Sequence, residues 1–202
     1  MEADTRINAD FSRRVLVHTT EIPWIPSPQP GVERCLLDRL GGEVARATSL
    51  VRYAAGAGFP AHTHQGGEEY LVLQGVFQDE KGEHPVGRYV RNPPGSQHMP
   101  SAEVETVIFV KLSQFDLADQ HALEVDLSTV PFSLDVERPG VRVQYLHQDH
   151  RESVQVEHWS AGQYWYESFP QGAELLLLEG ELEDGTDRLG RLSWLRLPAT
   201  IL

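Results

Sequence analysis

The sequence predicts an all-β protein in which one β-fold occurs twice along the chain. Short segments rich in Val, Leu and Tyr are bounded by Gly, Pro and Asn, a pattern that is typical of strands. Long helical periodicity is absent, and only Leu117–Glu124 could form a helical turn or two. Short strands at regular spacing indicate a sandwich or a barrel. The clearest strand segments are Ser49–Tyr53, Glu69–Leu73, Thr106–Leu112 and Val141–His147.

An internal repeat, with a period of just over one hundred residues, supports the prediction of two copies. Pro23-Trp24 is echoed by Pro131-Phe132, and Pro30-Gly31-Val32 is echoed by Pro139-Gly140-Val141. Repeated order across many positions predicts two copies of one supersecondary unit, which meet near residues 116–124. The central positions of the repeat are Val51, Gly67, Glu69, Leu71, Leu73 and Gly75, matched by Val156, Gly172, Glu174, Leu176, Leu178 and Gly180.

Composition and charge narrow the classes of function. The 202 residues include 30 acidic and 17 basic side chains, for a formal net charge of -13. This charge repels phosphate backbones, which argues against nucleic-acid binding through a basic surface. No apolar run approaches the ~20 residues that span a bilayer, and no signal peptide opens the sequence. Cys35 is the single cysteine, so we expect no intrachain disulfide and a reducing, cytoplasmic location.

A regularly spaced group of polar residues forms a candidate metal site, with the members His62, His64, Glu68 and His98. Two histidines one residue apart on a strand point to the same face. Residues 65–67, Gln-Gly-Gly, are predicted to form a hairpin loop that sets Glu68 directly across from His64. Three imidazoles and one carboxylate that converge favour a borderline divalent ion. Such a polar cluster is also costly to bury without an ion.

The second copy lacks this ligand set. In the register of the repeat, His62, His64 and Glu68 are replaced by Glu167, Phe169 and Ala173. The counterpart of His98 falls at or just past Leu202, where the residues are Ile201 and Leu202. We expect Phe169, with Trp165 nearby, to fill the corresponding interior by apolar packing. No segment matches the apolar strand 104–112 of the first copy. Either the chain is truncated at its C-terminus or another segment completes the sheet, because an open edge is a pairing hazard.

Two motifs around the candidate ligands resemble those of the cupin superfamily. The first consists of Gly56, His62, His64, Glu68 and Gly75, and the second of Gly87, Pro93, Gly95 and His98. The Asn that ends the second motif is replaced by Ala102. With the repeat, the resemblance implies a bicupin, a tandem of double-stranded β-helix (jelly-roll) barrels whose second copy is degenerate and incomplete. The predicted division is an N-terminal extension (1–14), a metal-binding cupin (15–116), a linker (117–124) and a degenerate cupin without metal (125–202).

The amino-acid sequence of residues 59–64 and 67–80 is similar to that of the ChrR-like cupin domain. This domain is the C-terminal half of anti-sigma factors that control extracytoplasmic-function sigma factors. In that family the positions equivalent to the four candidate ligands hold zinc, so the resemblance implies one zinc ion here. Fe(II), Mn(II), Ni(II) or Cu(II) fit the same donors. ChrR proteins bind the sigma factor through an N-terminal zinc-binding helical domain that carries a His-x3-Cys-x2-Cys motif. This sequence has no such segment before its cupin, so the family fold is expected here without an assured sigma-binding activity.

Two functions from different classes remain open. One is a zinc-binding regulatory or sensor protein, anti-sigma-like, with a sigma factor, another protein or a small molecule as partner, and with a homodimer as the expected assembly. The other is a mononuclear non-haem Fe(II) dioxygenase that acts on a small carbonyl or phenolic compound, since cupins host many functions. A sugar-binding or isomerase cupin would need a basic phosphate-binding cluster, which Arg88 and Arg91 alone do not supply.

Residues near the motifs have plainer interpretations. Tyr70 and Val72 share the Glu68 face by parity, where they either line the metal pocket or fill the barrel. Cys35 is interpreted as a small strand residue.

The remaining histidines of interest are interpreted as solvated. His147 and His150 flank Asp149 in a polar turn, and a second metal site there is considered but not favoured. His84 and His121 lie in loop-like surroundings and receive the same interpretation.

Overall fold

In the computed structural model, which describes residues 5–42, 45–164, 169–185 and 187–199, the chain folds into strands joined by turns. The described residues contain no helix, and therefore none that is long and apolar enough to cross a membrane. The strands of the first half are β1 (Thr5–Ile7), β2 (Val15–His18), β3 (Ile25–Pro26), β4 (Val32–Gly41), β5 (Arg46–Tyr53), β6 (Ala57–Gly58), β7 (His62–His64), β8 (Glu68–Gln74), β9 (Val76–Asp79), β10 (Gly82–Pro85), β11 (Arg88–Asn92), β12 (Ser96–His98), β13 (Ser101–Ala102) and β14 (Thr106–Leu112). Those of the second half are β15 (Leu123–Asp126), β16 (Ser133–Leu134), β17 (Val141–Gln148), β18 (Ser153–Trp159), β19 (Ala173–Leu176), β20 (Leu182–Asp184), β21 (Asp187–Leu189) and β22 (Ser193–Leu197).

The predicted strands are confirmed, and the predicted helical turns are wrong. The four strand segments named from the sequence lie within β5, β8, β14 and β17. The segment before β15 forms turns instead of a helix, because the Asp116 and Asp119 carboxylates accept hydrogen bonds from the backbone N–H groups two residues further on. Aspartates that bond to nearby backbone in this way compete with helix formation.

The first half has two walls around one apolar core. One wall is an eight-stranded antiparallel sheet in the order β1-β4-β5-β14-β8-β11-β15, with β3 attached to β4. The other wall contains a sheet in the order β10-β9-β13-β6 and the pair β12-β7. Alternating side chains of both walls meet in the core, as the strand period of two requires. The buried members of this core are Val32, Val51, Tyr53, Tyr70, Val72, Phe77, Val90, Ala102, Ile108 and Val110.

The two halves exchange one strand each. β15 of the second half pairs with β11, so that the first half contains the run β8-β11-β15. β2 of the first half pairs with β22, which gives the corresponding run β19-β22-β2. Within the described residues no strand takes the place of β14 beside β19, so β2 does not fill the gap that the sequence indicates there.

A second apolar cluster packs the halves against each other. Cys35 and Leu37 of β4 and Leu50 of β5 contact Trp194 of β22, and all four side chains are 0% exposed. At about 25 cal/mol per Å² of apolar surface, burial of side chains this large is a substantial part of the free energy that joins the halves. We call this cluster the inter-half seam.

Polar bonds cross the same seam. Lys111 of β14 reaches across the seam to one Glu174 carboxylate oxygen, and within the second half the Trp194 indole N–H donates to the other oxygen over 2.8 Å. The Arg196 guanidinium of β22 lies 3.1 Å from the Asp38 carboxylate of β4, and both side chains are buried. Because buried charges are costly unless paired, these bonds fix how the second half sits on the first.

Candidate metal centre

The structure brings the four predicted ligands together. β7 pairs with β12 in a register that places His98 directly opposite His62. The ring centroids of His62, His64 and His98 lie 4.7, 4.8 and 5.0 Å apart. The Glu68 carboxylate completes the group, with Oε2 at 3.4 Å from His64 Nε2 and 3.6 Å from His98 Nε2.

The predicted hairpin between His64 and Glu68 is wrong. β7 pairs with β12 instead of β8, and Glu68 lies opposite Asn92 on β11 and Leu112 on β14. Glu68 therefore reaches the histidines from the opposite wall of the barrel. The convergence of the ligands depends on the packing of two sheets and not on cross-strand pairing.

A glycine turn carries the chain between the walls. The Gly67 N–H donates to the His64 carbonyl over 3.2 Å, and Gly67 has a φ of 77°. A Cβ on Gly66 would lie 2.7 Å from the Ser113 backbone, and a Cβ on Gly67 would lie 2.5 Å from the Phe115 ring. Only glycine fits both positions, which explains why the turn can pass so close to the segment after β14.

A second turn, at Pro93-Pro94-Gly95, positions His98. The Ser96 N–H donates to the Pro93 carbonyl over 3.0 Å. The Gly95 N–H donates to the His64 carbonyl over 2.9 Å, and Gly95 has a φ of 84°. The turn thus ties the start of β12 to β7, next to the ligands that both strands provide.

Burial differs among the three imidazoles. His64 and His98 are 9% and 3% exposed, whereas His62 is half-buried and its Nδ1 lies 2.9 Å from the Pro60 carbonyl oxygen. Burial lowers the pKa of His64, and the Glu68 carboxylate offsets this only in part. His64 is therefore held in the neutral form, which is the form that binds metal.

A buried carboxylate, Asp79, stands behind His98. Asp79 Oδ2 lies 3.5 Å from His98 Nδ1, and Oδ1 lies 3.1 Å from His84 Nε2. Burial alone would raise the pKa of Asp79, but its bonds to His84, His98 and the Lys81 N–H outweigh burial and hold the pKa well below its usual range. Burial alone would likewise lower the pKa of His98, but Asp79 and Glu68 reverse the direction and raise it. A carboxylate behind a ligand imidazole fixes the ring and increases its basicity.

Asp79 and His84 carry no spacing signal in the sequence. The prediction that His84 is solvated is wrong, since its side chain is 2% exposed on β10. The prediction also fails for His147, which is 7% exposed, whereas His121 and His150 are exposed as expected. The hairpin β9–β10 and the fold of β17 bury these rings, and neither effect is visible in local composition.

Tyr70 and Val72 lie on the barrel face that Glu68 shares, and each is 1% exposed in the apolar core. The Tyr70 ring packs 5.0 Å from the Phe77 ring. Its hydroxyl is buried with no hydrogen-bond partner among the described residues, and burial raises its pKa. Their contact with a bound ligand stays a prediction.

Arg88 and Arg91, the two arginines considered for phosphate binding, are paired with carboxylates. Arg91 is 1% exposed and lies 2.8 to 3.1 Å from oxygens of Glu69, Asp119 and Glu152. Arg88 is paired with Glu124 and Asp126 at 3.4 and 3.6 Å. Both guanidinium groups are thus engaged, in agreement with the absence of a phosphate-binding cluster from the sequence.

The second half offers no equivalent ligand group in the part of the chain that the structure describes. Phe169 is half-buried, and Ala173 opens β19. The predictions that involve Trp165, Glu167, Ile201 and Leu202 lie outside the described residues.

The residues of the first half fit a divalent ion. Two ligands bound at about 2.1 Å to one tetrahedral ion lie roughly 3.4 Å apart. The distances among the His64, His98 and Glu68 donor atoms are 2.9, 3.4 and 3.6 Å. Two buried Nε2 atoms that face each other beside a carboxylate form a donor set that suits zinc and its neighbours in the first transition row.

Comparison with known proteins places this geometry in a family. The family model described as "ChrR Cupin-like domain" matches residues 12–116. A protein of Nostoc punctiforme, provisionally named a dioxygenase, is 15% identical, with a TM-score of 0.70 over 93% of this chain and 76% of that one. A protein of Pseudomonas aeruginosa, provisionally named glyoxylate-induced, is 14% identical, with a TM-score of 0.69 over 98% of this chain and 83% of that one.

A third structure, Rhodobacter sphaeroides SigE in complex with the anti-sigma ChrR, is 26% identical, with a TM-score of 0.38 over 46% of this chain and 50% of that one. No curated protein sequence matches the chain significantly. The two likenesses that extend over nearly the whole chain confirm the predicted all-β tandem cupin fold.

Proposed function

The chain belongs to the ChrR cupin-like family, and from this premise we propose that its first half binds one divalent metal ion and serves a regulatory function. The observation that carries the proposal is the convergence of His62, His64, His98 and Glu68 from three strands of two walls. Zinc is the proposed ion, because three imidazoles and a carboxylate close a tetrahedral site without need of an external ligand.

Neighbouring polar side chains orient two of the candidate ligands, Glu68 and His98. Asn92 Nδ2 donates to Glu68 Oε2 over 3.2 Å, which orients the carboxylate, and Asp79 stands behind His98. A bound ion would supply a fixed charge that joins both walls and so couples folding of the barrel to metal binding. Because both walls provide ligands, metal binding should raise the free energy of unfolding of the barrel.

The regulatory part of the proposal rests on the family and on the closed ligand set. A protein partner, with a sigma factor as the first candidate, is proposed from family membership. A small-molecule ligand would approach at His62, the ligand with the greatest solvent exposure of the three histidines. We further propose that the protein is a homodimer and that it acts in the cytoplasm.

Elemental analysis of protein purified without added metal tests the site. The His62→Ala/His64→Ala variant is expected to hold one zinc equivalent less than the natural sequence, while His158→Ala, an exposed histidine of the second half, keeps the full content. At a free zinc concentration about 1,000 times Kd, binding stabilises the barrel by about 4 kcal/mol. Chelation should therefore lower the unfolding midpoint of the natural protein by more than it lowers that of the double variant. Unchanged metal content in the double variant would contradict the site.

The regulatory assignment is tested against sigma factors encoded beside the gene. Size-exclusion chromatography of each purified pair, with and without zinc, should give a complex that chelation or the His62→Ala/His64→Ala substitutions weaken. Full zinc occupancy without any such complex would leave the metal site in place and reject the sigma factor as its partner.

A second candidate function is an Fe(II)-dependent dioxygenation of a small carbonyl or phenolic compound. The unpartnered Tyr70 hydroxyl on the Glu68 face favours it, since such a group could donate a proton or a hydrogen bond to a bound substrate. Iron-reconstituted protein would then consume O2 with a 1,3-dicarbonyl or catechol probe, and Tyr70→Phe would slow this reaction. A fully zinc-loaded natural protein whose iron form is inert would exclude the enzyme.

A further inference from the structure

A second group of nitrogen and oxygen donors lies outside the first barrel. One ligand atom each from Asp119, His147 and Asp149 lies within 4.8 Å of the others. Asp119 belongs to the segment between β14 and β15, whereas His147 and Asp149 lie at and just beyond the C-terminal end of β17. The group therefore joins the inter-half segment to the first long hairpin of the second half.

The innermost donor of this group is a buried imidazole without a partner. His147 is 7% exposed, and its Nε2 is buried with no hydrogen-bond partner among the described residues. The same Nε2 faces Asp149 Oδ2 at 3.7 Å. A buried nitrogen without a partner is costly. At 3.7 Å the nitrogen and the carboxylate oxygen are too far apart for a hydrogen bond, so both atoms are available to bind one ion.

Local backbone structure directs these donors. The pairing of β17 with β18 shifts register between Tyr145 and His147, and bulges of this kind re-aim a side chain. Asp149 Oδ1 accepts hydrogen bonds from the Arg151 and Glu152 backbone N–H groups, which leaves Oδ2 directed to His147. These backbone bonds lower the pKa of Asp149, so its carboxylate stays ionised.

Asp119 remains available in spite of a neighbouring cation. Its Oδ2 lies 2.9 Å from Arg91, and its Oδ1 accepts the His121 N–H. Each carboxylate oxygen has a further lone pair for a metal. Arg91 also binds Glu69 and Glu152, so its charge is not balanced by Asp119 alone.

We propose that Asp119, His147 and Asp149 form a second binding site for a divalent transition-metal ion, with zinc as its representative. A buried imidazole with two carboxylates favours such an ion over magnesium or calcium, which prefer oxygen donors. Two zinc ligands at about 2.1 Å lie roughly 3.4 Å apart, close to the 3.7 Å between His147 Nε2 and Asp149 Oδ2. His121, whose ring centroid is 5.7 Å from that of His147, stands where it can supply a fourth donor. The ion would fasten the inter-half segment to β17.

Zinc binding by the full-length chain, measured by calorimetric titration after removal of metal, tests this site. The natural sequence is expected to bind two equivalents. His147→Ala should bind one, and Asp119→Asn/Asp149→Asn, which changes partly exposed groups without loss of volume, should bind the second equivalent at least ten-fold more weakly. His150→Ala is the matched control, since this exposed neighbour should have no effect. Retention of the first equivalent and of the circular dichroism spectrum shows that each variant is folded.

The outcomes separate this site from the one in the first barrel. The His62→Ala/His64→Ala variant should retain one equivalent, and His147→Ala in that background should remove it. A single equivalent that disappears with His62→Ala/His64→Ala overturns the second site and leaves the first in place. A single equivalent that disappears only with His147→Ala supports the second site and rejects the first. Two equivalents in His147→Ala, or a loss in His150→Ala alone, would show surface binding and overturn the proposal.

Discussion

The repeat places a glutamate at equivalent positions of the two halves, Glu69 and Glu174, and their environments differ. Glu69 is buried within the first half, where it accepts hydrogen bonds from Tyr89 and Arg91. Burial raises its pKa in spite of these partners. Glu174 reaches across the inter-half seam to Lys111 and also accepts a hydrogen bond from Trp194 of its own half, and these contacts outweigh burial and lower its pKa. One sequence position thus serves internal structure in one half and attachment in the other.

The strands that carry these glutamates differ in the same way. β8 pairs on both sides, with β11 and β14, whereas β19 is paired with β22 alone among the described residues. The first residue of β8 is the candidate ligand Glu68, and the first residue of β19 is Ala173. The first half therefore encloses a polar site between two walls, whereas the described residues of the second half pack against the first through the inter-half seam.

The largest effect is expected from breaking the seam that attaches the second half. Trp194→Ala removes a fully buried indole and should lower the free energy of unfolding by about 3–5 kcal/mol. Urea denaturation measures this loss. Trp194→Phe keeps most of the apolar contact and loses only the hydrogen bond to Glu174, so a smaller loss is expected. Equal effects of both variants would show that packing at Trp194 does not join the halves.

The next effect concerns the support of the ligands in the first half. Asp79→Asn removes the negative charge behind His98 and should weaken zinc binding by about 10–100-fold. A competition titration with a chromophoric chelator measures the affinity. Glu83→Gln, which changes an exposed carboxylate of the same hairpin, is the control. Unchanged affinity in Asp79→Asn would mean that the carboxylate serves only the fold of β9 and β10.

Glu69 and Glu174, the equivalent glutamates of the two halves, have pKa values shifted in opposite directions. The stability that each contributes should therefore depend on pH in a different way. Glu174 has a pKa below its ordinary value of 4.5, so its contribution to stability is complete above that pH and is lost as the pH falls further. Glu174→Gln should therefore flatten the decrease in the free energy of unfolding between neutral and acidic pH. Urea unfolding at a series of pH values measures the slope. Glu183→Gln, on an exposed strand of the same half, should leave the slope unchanged.

The last prediction concerns the reaction rate of the Cys35 thiol, which lies on the first-half side of the seam. Burial raises the pKa of this thiol to about 11, so at pH 8 only about one thiol in a thousand is ionised. Alkylation by iodoacetamide, followed by mass spectrometry, should be at least ~100-fold slower than that of a free cysteine. Trp194→Ala should accelerate it by opening the seam. Fast alkylation of the natural protein would contradict a closed seam.

The candidate ligands and the fold class follow from patterns along the sequence. The spacing of His62, His64, Glu68 and His98, the strand-like composition and the internal repeat are all visible in the order of the residues, and the strands they predict are present. The hairpin before Glu68 was wrong because local turn chemistry does not specify which strand becomes the partner. Gly66 and Gly67 signal a turn in either arrangement.

Only the tertiary structure decides the contacts between residues far apart in sequence. Asp79 stands behind His98, and Asp119 lies beside His147, because the β9–β10 hairpin, the inter-half segment and the bulge in β17 bring them together. The reciprocal exchange of β2 and β15 likewise depends on how the halves pack. The sequence by itself determined the all-β class, the two copies and the candidate ligand set, because strand alternation, motif spacing and the order of the repeat can be read along the chain without knowledge of any contact. Only the tertiary structure decided which residues surround the candidate ligands and which strands pair between the halves. The free energy of those contacts depends on residues that are distant in sequence, which no local pattern specifies.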